Sequence, residues 1–233
     1  MPKKVILVVG TGRSGTSAMT GTLQRLGVCL GEELTRGDAG NPKGYFENTQ
    51  ITDLNKKALI EAGISWYGPS LAVVPVPVTP TLSASISNRV RAIFGERSPI
   101  AIKDPRLCVL LDVYVSSLRE MGYEVHCVRM LRDPVEVAES LTTVAGGAVS
   151  QWLPKVGLYS ELLDAALKRT AVDCIDCAFT ALVTRTKDTI SALMERLPFL
   201  VCTAERMNAI SDFIDGSLKH HASAKIASIK DGA

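Results

Sequence analysis

Neither sign of charge is in excess: 26 lysines and arginines face 24 aspartates and glutamates, a formal net charge of +2 over 233 residues. A global polyelectrolyte partner, whether nucleic acid or an anionic membrane, therefore finds no matching field, although a local anion site stays open. Long apolar runs are missing too. The run Val5 to Val9 stops at Gly10 after five residues, too few for the apolar region of a signal peptide. No window approaches the ~20 apolar residues of a membrane span. The six cysteines (Cys29, Cys108, Cys127, Cys174, Cys177, Cys202) have no paired spacing, and most have apolar neighbours among which a reduced thiol acts as a small hydrophobe. A soluble, cytoplasmic protein is expected. Cys174 and Cys177 form a lone CxxC within a helical pattern, with no second pair to complete a zinc site, so core packing is their expected role. There are no repeats and no low-complexity tract.

What is present is a large apolar fraction, 46% of residues, which excludes disorder, collagen and a disulfide-stapled miniprotein. A single domain of this length buries roughly 70 to 75% of its unfolded surface. Four short runs read as strands covered on both faces: Lys4 to Val9, Pro99 to Ile102, Glu124 to Met130 and Phe199 to Thr203. Helical spacing follows the first three, at Leu23 and Leu26, Leu107 to Leu118, and Val135 to Leu141. A stretch from Leu158 to Leu197 carries Leu162, Ala166, Val172, Ile175, Phe179, Leu182, Ile190 and Leu193 at three- and four-residue steps, one long helix or two. Strands alternating with helices predict an α/β fold with a parallel sheet. About 90 residues separate the first two strands, far more than a crossover needs. Within them Gly31 to Asn48 is rich in turn formers, Gln50 to Ala62 looks helical, and Pro69, Pro75, Pro77 and Pro80 exclude a central strand. Substrate specificity is expected in this insertion, at about residues 31–97.

The segment VILVVGTGRSGTS puts Gly10, Gly12 and Gly15 after a strand and at the opening of a helix. Glycines let successive amides form a concave nest, continued by the helix N-terminus, that holds a phosphate or similar anion. The spacing from Gly10 to Gly15 is that of a P-loop, followed by Thr16 and Ser17. A nucleoside triphosphate loop needs lysine where this chain has Thr16, and the cation inside the loop is Arg13 instead.

The third strand runs into RMLRDPVEVAESL. Folding alone accounts for three residues there: Asp133 caps the helix, Pro134 suits its first position and Glu136 completes a capping box. It does not account for Arg132 and Ser140, which could close on one phosphate from two sides.

GTGRSGTS followed downstream by RDPVEVAES resembles the cytosolic-type and bacterial sulfotransferases, which use 3′-phosphoadenosine 5′-phosphosulfate (PAPS). The likeness runs from about residue 4 to residue 141, with a weaker echo in SDFIDGSLKHH. It implies a three-layer sandwich around a parallel sheet of four to five strands, with P-loop NTPase-like topology, and a single domain over residues 1–233. Gly12, Arg13, Ser14, Gly15, Thr16 and Ser17 then correspond to the 5′-phosphosulfate loop, and Arg132 with Ser140 to the 3′-phosphate signature. The missing lysine makes chemical sense, because PAPS has no triphosphate to neutralise and no magnesium to bridge. No metal is expected.

Sulfuryl transfer makes the demands of phosphoryl transfer, with charge appearing on the leaving phosphate oxygen, where Arg13 and the loop amides would act. The acceptor hydroxyl needs a base. Many family members carry a histidine near the end of the second strand; here His126 lies in a strand and His220 and His221 near the C-terminus. Glu47 in NPKGYFEN is the favoured base, as some bacterial relatives use a glutamate from the corresponding loop, unless it is simply a solvated loop carboxylate. Asp104 in IKDPRL is the second candidate, although aspartate before Pro105 is also a good helix cap. Lys103 is expected at the sulfuryl oxygens, and Tyr45, Phe46, Trp66 and Tyr67 along an acceptor wall. The expected acceptor is a carbohydrate or small molecule with a hydroxyl or amine, with no nucleic acid or membrane partner and a homo-oligomer left open. Two alternatives remain: a P-loop small-molecule or nucleotide kinase, which lacks its lysine and its strand-end aspartate here, and a catalytically inactive nucleotide-binding protein, which the absent histidine favours.

Overall fold

β1 (Lys3–Val9) is nearly all apolar because both of its faces are covered: Val5, Leu7 and Val9 enter one core and Ile6 and Val8 the other. The computed structural model describes residues 2–66, 71 and 73–214. Tyr67, Pro69, His220, His221 and the later part of SDFIDGSLKHH lie outside the described residues. β2 (Ile100–Lys103) and β3 (Tyr123–Leu131) flank β1, and β4 (Asp173–Ala178) joins β3. All pairings are parallel, in the order β2-β1-β3-β4.

The helices are α1 (Thr16–Arg25), α2 (Thr49–Glu61), α3 (Pro80–Phe94), α4 (Leu107–Glu120), α5 (Pro134–Ala145), α6 (Val149–Thr170), α7 (Phe179–Thr184), α8 (Thr186–Arg196) and α9 (Ala204–Phe213). Residues of α2, α3, α4 and α6 build the core on one face of the sheet, and residues of α1, α7, α8 and α9 the core on the other. The expected three-layer α/β sandwich is thus observed, with four strands among the described residues. No described helix is long and apolar enough to cross a membrane.

Two expectations fail together. Phe199 to Thr203 is not a strand, and the long helical stretch is broken by one. β4 takes the place beside β3, with His126 opposite Asp173 and Leu131 opposite Ala178. Its side chains feed both cores: Cys174 packs on one, Ile175 and Cys177 on the other. The CxxC thiols therefore point to opposite faces of the sheet, and burial raises each to about 11, as inert packing groups. Leu200 is buried while its neighbour Val201 is exposed, so that run packs as a loop.

Candidate functional site

The chain leaves β1 for β2 on one side and leaves β3 for β4 on the other, and ligands of open α/β sheets sit at such a switch, at the carboxyl ends of the strands. The glycine turn after β1, Lys103 at the end of β2 with Asp104 next to it, and Arg132 after β3 all lie there. Backbone sterics dictate the turn. Gly10 has φ 145°, and a Cβ would sit 2.6 Å from Ser14 Oγ and 2.9 Å from the Met130 carbonyl. Gly15 has φ 99°, and a Cβ would sit 2.4 Å from the Phe179 ring. The Ser14 amide donates to the Thr11 carbonyl at 3.1 Å, and the first α1 bond runs from Met19 N to Gly15 O, so the amides at the start of the helix have no partner within it.

Arg13 occupies the left-handed region at φ 72°, a conformation that few non-glycine residues adopt. Its Nε donates to Ser140 Oγ at 3.0 Å and its Nη2 to the Gly40 carbonyl at 2.9 Å. Burial presses its pKa below the ordinary value and Arg132 adds to that, while Tyr45 and Asp38 pull the other way. A guanidinium stays protonated regardless, so this is a partly desolvated cation beside the glycine turn. Arg132 Nε donates to Glu136 at 2.9 Å, Nη1 donates to the Arg13 carbonyl at 3.2 Å, and the guanidinium lies 4.9 Å from the Phe179 ring centre.

Ser140 thus meets Arg13, and one expectation about α5 is corrected. Asp133 does cap the helix, accepting from Val135 N and Glu136 N, but Glu136 serves Arg132 and does not close a capping box.

Lys103 is 4% exposed. Its Nζ donates to Glu47 Oε1 at 2.6 Å, to the Tyr45 carbonyl at 3.1 Å and to Ser17 Oγ at 3.3 Å. Glu47 is therefore a buried ion-pair partner, not a solvated loop carboxylate. The loop before it is strapped down: Tyr45 donates its hydroxyl proton to Asp38, and Asn41 Nδ2 donates to Ser17 Oγ at 3.2 Å. Asp104 is buried in a network of its own. It accepts from Arg106 N and Nη1, both at 2.9 Å, and from Asn55 Nδ2 at 2.9 Å, while Asn55 Oδ1 accepts from the Tyr114 hydroxyl at 2.7 Å. Of the two candidate bases, Glu47 borders the cavity between these elements and Asp104 holds Arg106 behind it.

That cavity, of about 510 Å³, runs from the glycine turn past Tyr45 and Glu47 to Trp66, a size ordinary for a small-ligand site. Phe46 instead packs edge-on against Phe213 with centroids 5.6 Å apart, so it belongs to the core rather than to an acceptor wall. Phe179, Thr52 and Arg106 also line the cavity, and sequence reasoning missed them as site residues. Phe179 and Thr52 carry helical spacing like any core position. Arg106 was readable as a cation beside Lys103 and Asp104. Among the described residues no group of histidines, cysteines or carboxylates is arranged to hold a metal ion.

No known protein-family model matches the chain, and no curated protein matches it by sequence. Solved structures do match. One is the sulfotransferase domain of the olefin synthase from Synechococcus PCC 7002, with TM-score 0.51 and 13% identity, covering 88% of this chain and 76% of that one. Another is a sulfotransferase from Mycobacterium tuberculosis H37Rv, with TM-score 0.49 and 15% identity, covering 96% of this chain and 77% of the other. At such identity the first likeness establishes a shared P-loop-like α/β fold.

Proposed function

We propose that the chain is a sulfotransferase that moves a sulfuryl group from PAPS to a hydroxyl of a small molecule or carbohydrate and releases adenosine 3′,5′-bisphosphate (PAP). The observation that carries this reading is one cavity flanked by a glycine turn with Arg13 in place of a triphosphate lysine, and by Arg132 with Ser140 next to it. The donors suit the nucleotide: turn amides and two guanidiniums for two separate phosphates, and the Phe179 ring for a planar base.

In this reading Glu47 takes the proton of the acceptor hydroxyl as its oxygen bonds to sulfur. The bond from sulfur to the 5′-phosphate oxygen breaks, and the electron pair stays on PAP. Arg13 and the turn amides stabilise that oxygen, and Lys103 orients Glu47 and the sulfuryl group. When a 3′-phosphate takes Ser140, it frees Arg13 toward the leaving oxygen, which couples nucleotide recognition to catalysis. A buried glutamate on a lysine supplies the base that the missing histidine would otherwise provide.

Calorimetric titration with PAP, ADP and ATP, with and without magnesium, tests the assignment. Tight, metal-independent PAP binding is expected, and a magnesium-dependent preference for ATP would replace this reading with a kinase. Arg132→Ala is expected to erase the preference for PAP over 5′-AMP, a loss of about 10- to 150-fold for one charge-assisted contact.

A further inference from the structure

A nucleotide held at the glycine turn and Arg132, as proposed above, leaves a second end of the cavity. From Glu47 its wall passes Thr52 and Lys56, four residues apart on α2, and reaches Trp66 and Arg106. Thr52 is 7% exposed, and its Oγ1 has no hydrogen-bond partner. A buried hydroxyl in that state costs free energy that a bound polar group would recover. The Arg106 guanidinium lies 5.6 Å from the Trp66 ring centre, held from behind by Asp104, which Asn55 and Tyr114 hold in turn. This tether orients the guanidinium before any ligand arrives. Lys56 pairs with Asp53 at 3.1 Å, but both side chains are solvent-accessible, and such pairs exchange readily for a better anion.

The donors on the wall point the same way. Its described cations are Arg13, Lys56, Arg106 and Arg132, and its described carboxylate is Glu47. Behind the wall Glu47 has Lys103, Arg106 has Asp104, Arg132 has Glu136 and Lys56 has Asp53 as counter-charge, so the cations offer hydrogen-bond donors more than an excess of charge. In the sulfotransferase reading Arg13 and Arg132 serve the nucleotide, which leaves Lys56 and Arg106 to the other end.

Resting on the sulfotransferase reading, we infer that the acceptor is itself an anion: a hydroxy compound whose carboxylate or phosphate group is held by Thr52 Oγ1, Lys56 and Arg106, with its body against Trp66. The hydroxyl then meets Glu47 from the acceptor side, and the oxyanion sets which molecules are sulfated.

The test uses the full chain saturated with PAP, so that both nucleotide phosphate sites are filled. It is titrated calorimetrically with acids and their neutral counterparts: 4-hydroxyphenylacetate against its amide, glucuronate against glucuronamide, and glycerol 3-phosphate against glycerol. At least one anion is expected to bind tenfold or more tightly than its neutral partner. Thr52→Val and Lys56→Met should each cut that preference below threefold with PAP affinity and melting temperature unchanged. Arg106 is left intact because its pair with Asp104 is buried. Equal or absent binding of acid and neutral partner in every pair, with PAP still bound, overturns this inference alone. A preference that survives both substitutions overturns the assignment of the site. Failure to bind PAP overturns the function beneath it as well.

Discussion

Lys103 is buried as one half of an ion pair, and Glu47 at 2.6 Å is what makes that burial tolerable. Glu47→Ala strands the lysine and is expected to lower stability by about 3 kcal/mol, measured by denaturant unfolding. Glu47→Gln keeps an acceptor oxygen for Lys103 and should cost less. In the proposed mechanism it abolishes sulfuryl transfer while PAP affinity stays within about threefold, because the base acts on the acceptor and not on the nucleotide. Turnover by the glutamine variant would remove Glu47 from the role of base. Arg13, Glu47, Lys103 and Arg132 could each be picked from the sequence as charges placed in turns or at strand ends. The bond between Arg13 and Ser140 could not, because it joins residues 127 positions apart and depends on how β1 and β3 lie side by side.

At the scale of elements, local chemistry wrote some boundaries plainly. Asp133 followed by Pro134 announced α5, and the side chain caps Val135 N and Glu136 N as that pattern requires. Asp133→Ala should cost about 1 kcal/mol and lower the melting temperature by about 2–4 °C, read by thermal unfolding. α3 carries equally plain signals, Thr79 as cap before Pro80 and Ile86, Val90 and Phe94 at four-residue steps, directly behind a proline-rich loop. β4 is the opposite case. Ile175, Phe179 and Leu182 keep helical steps although a strand carries the first and a helix the other two. A strand whose alternate residues feed two cores shows no simple period.

At the scale of the molecule, the cavity is bounded by the ends of β1, β2 and β3 together with α2 and the start of α7, so a nucleotide bound as proposed would tie distant parts of the chain to one another. PAP at about 100 times its dissociation constant is expected to stabilise the fold by about 2.7 kcal/mol and to raise the melting temperature by about 5–10 °C. 5′-AMP at the same concentration should raise it less, since it lacks the 3′-phosphate; equal shifts would remove Arg132 and Ser140 from nucleotide recognition. By itself the sequence determined the α/β class, the glycine turn between β1 and α1 and the basic motif after the third strand, because each is a matter of local backbone geometry and short-range periodicity. Only the tertiary structure decided which segment forms the fourth strand, which carboxylate borders the cavity and which is locked behind it, and where Arg13 points. Those outcomes follow from the competition of distant groups for the same partner, and spacing along the chain carries no record of it.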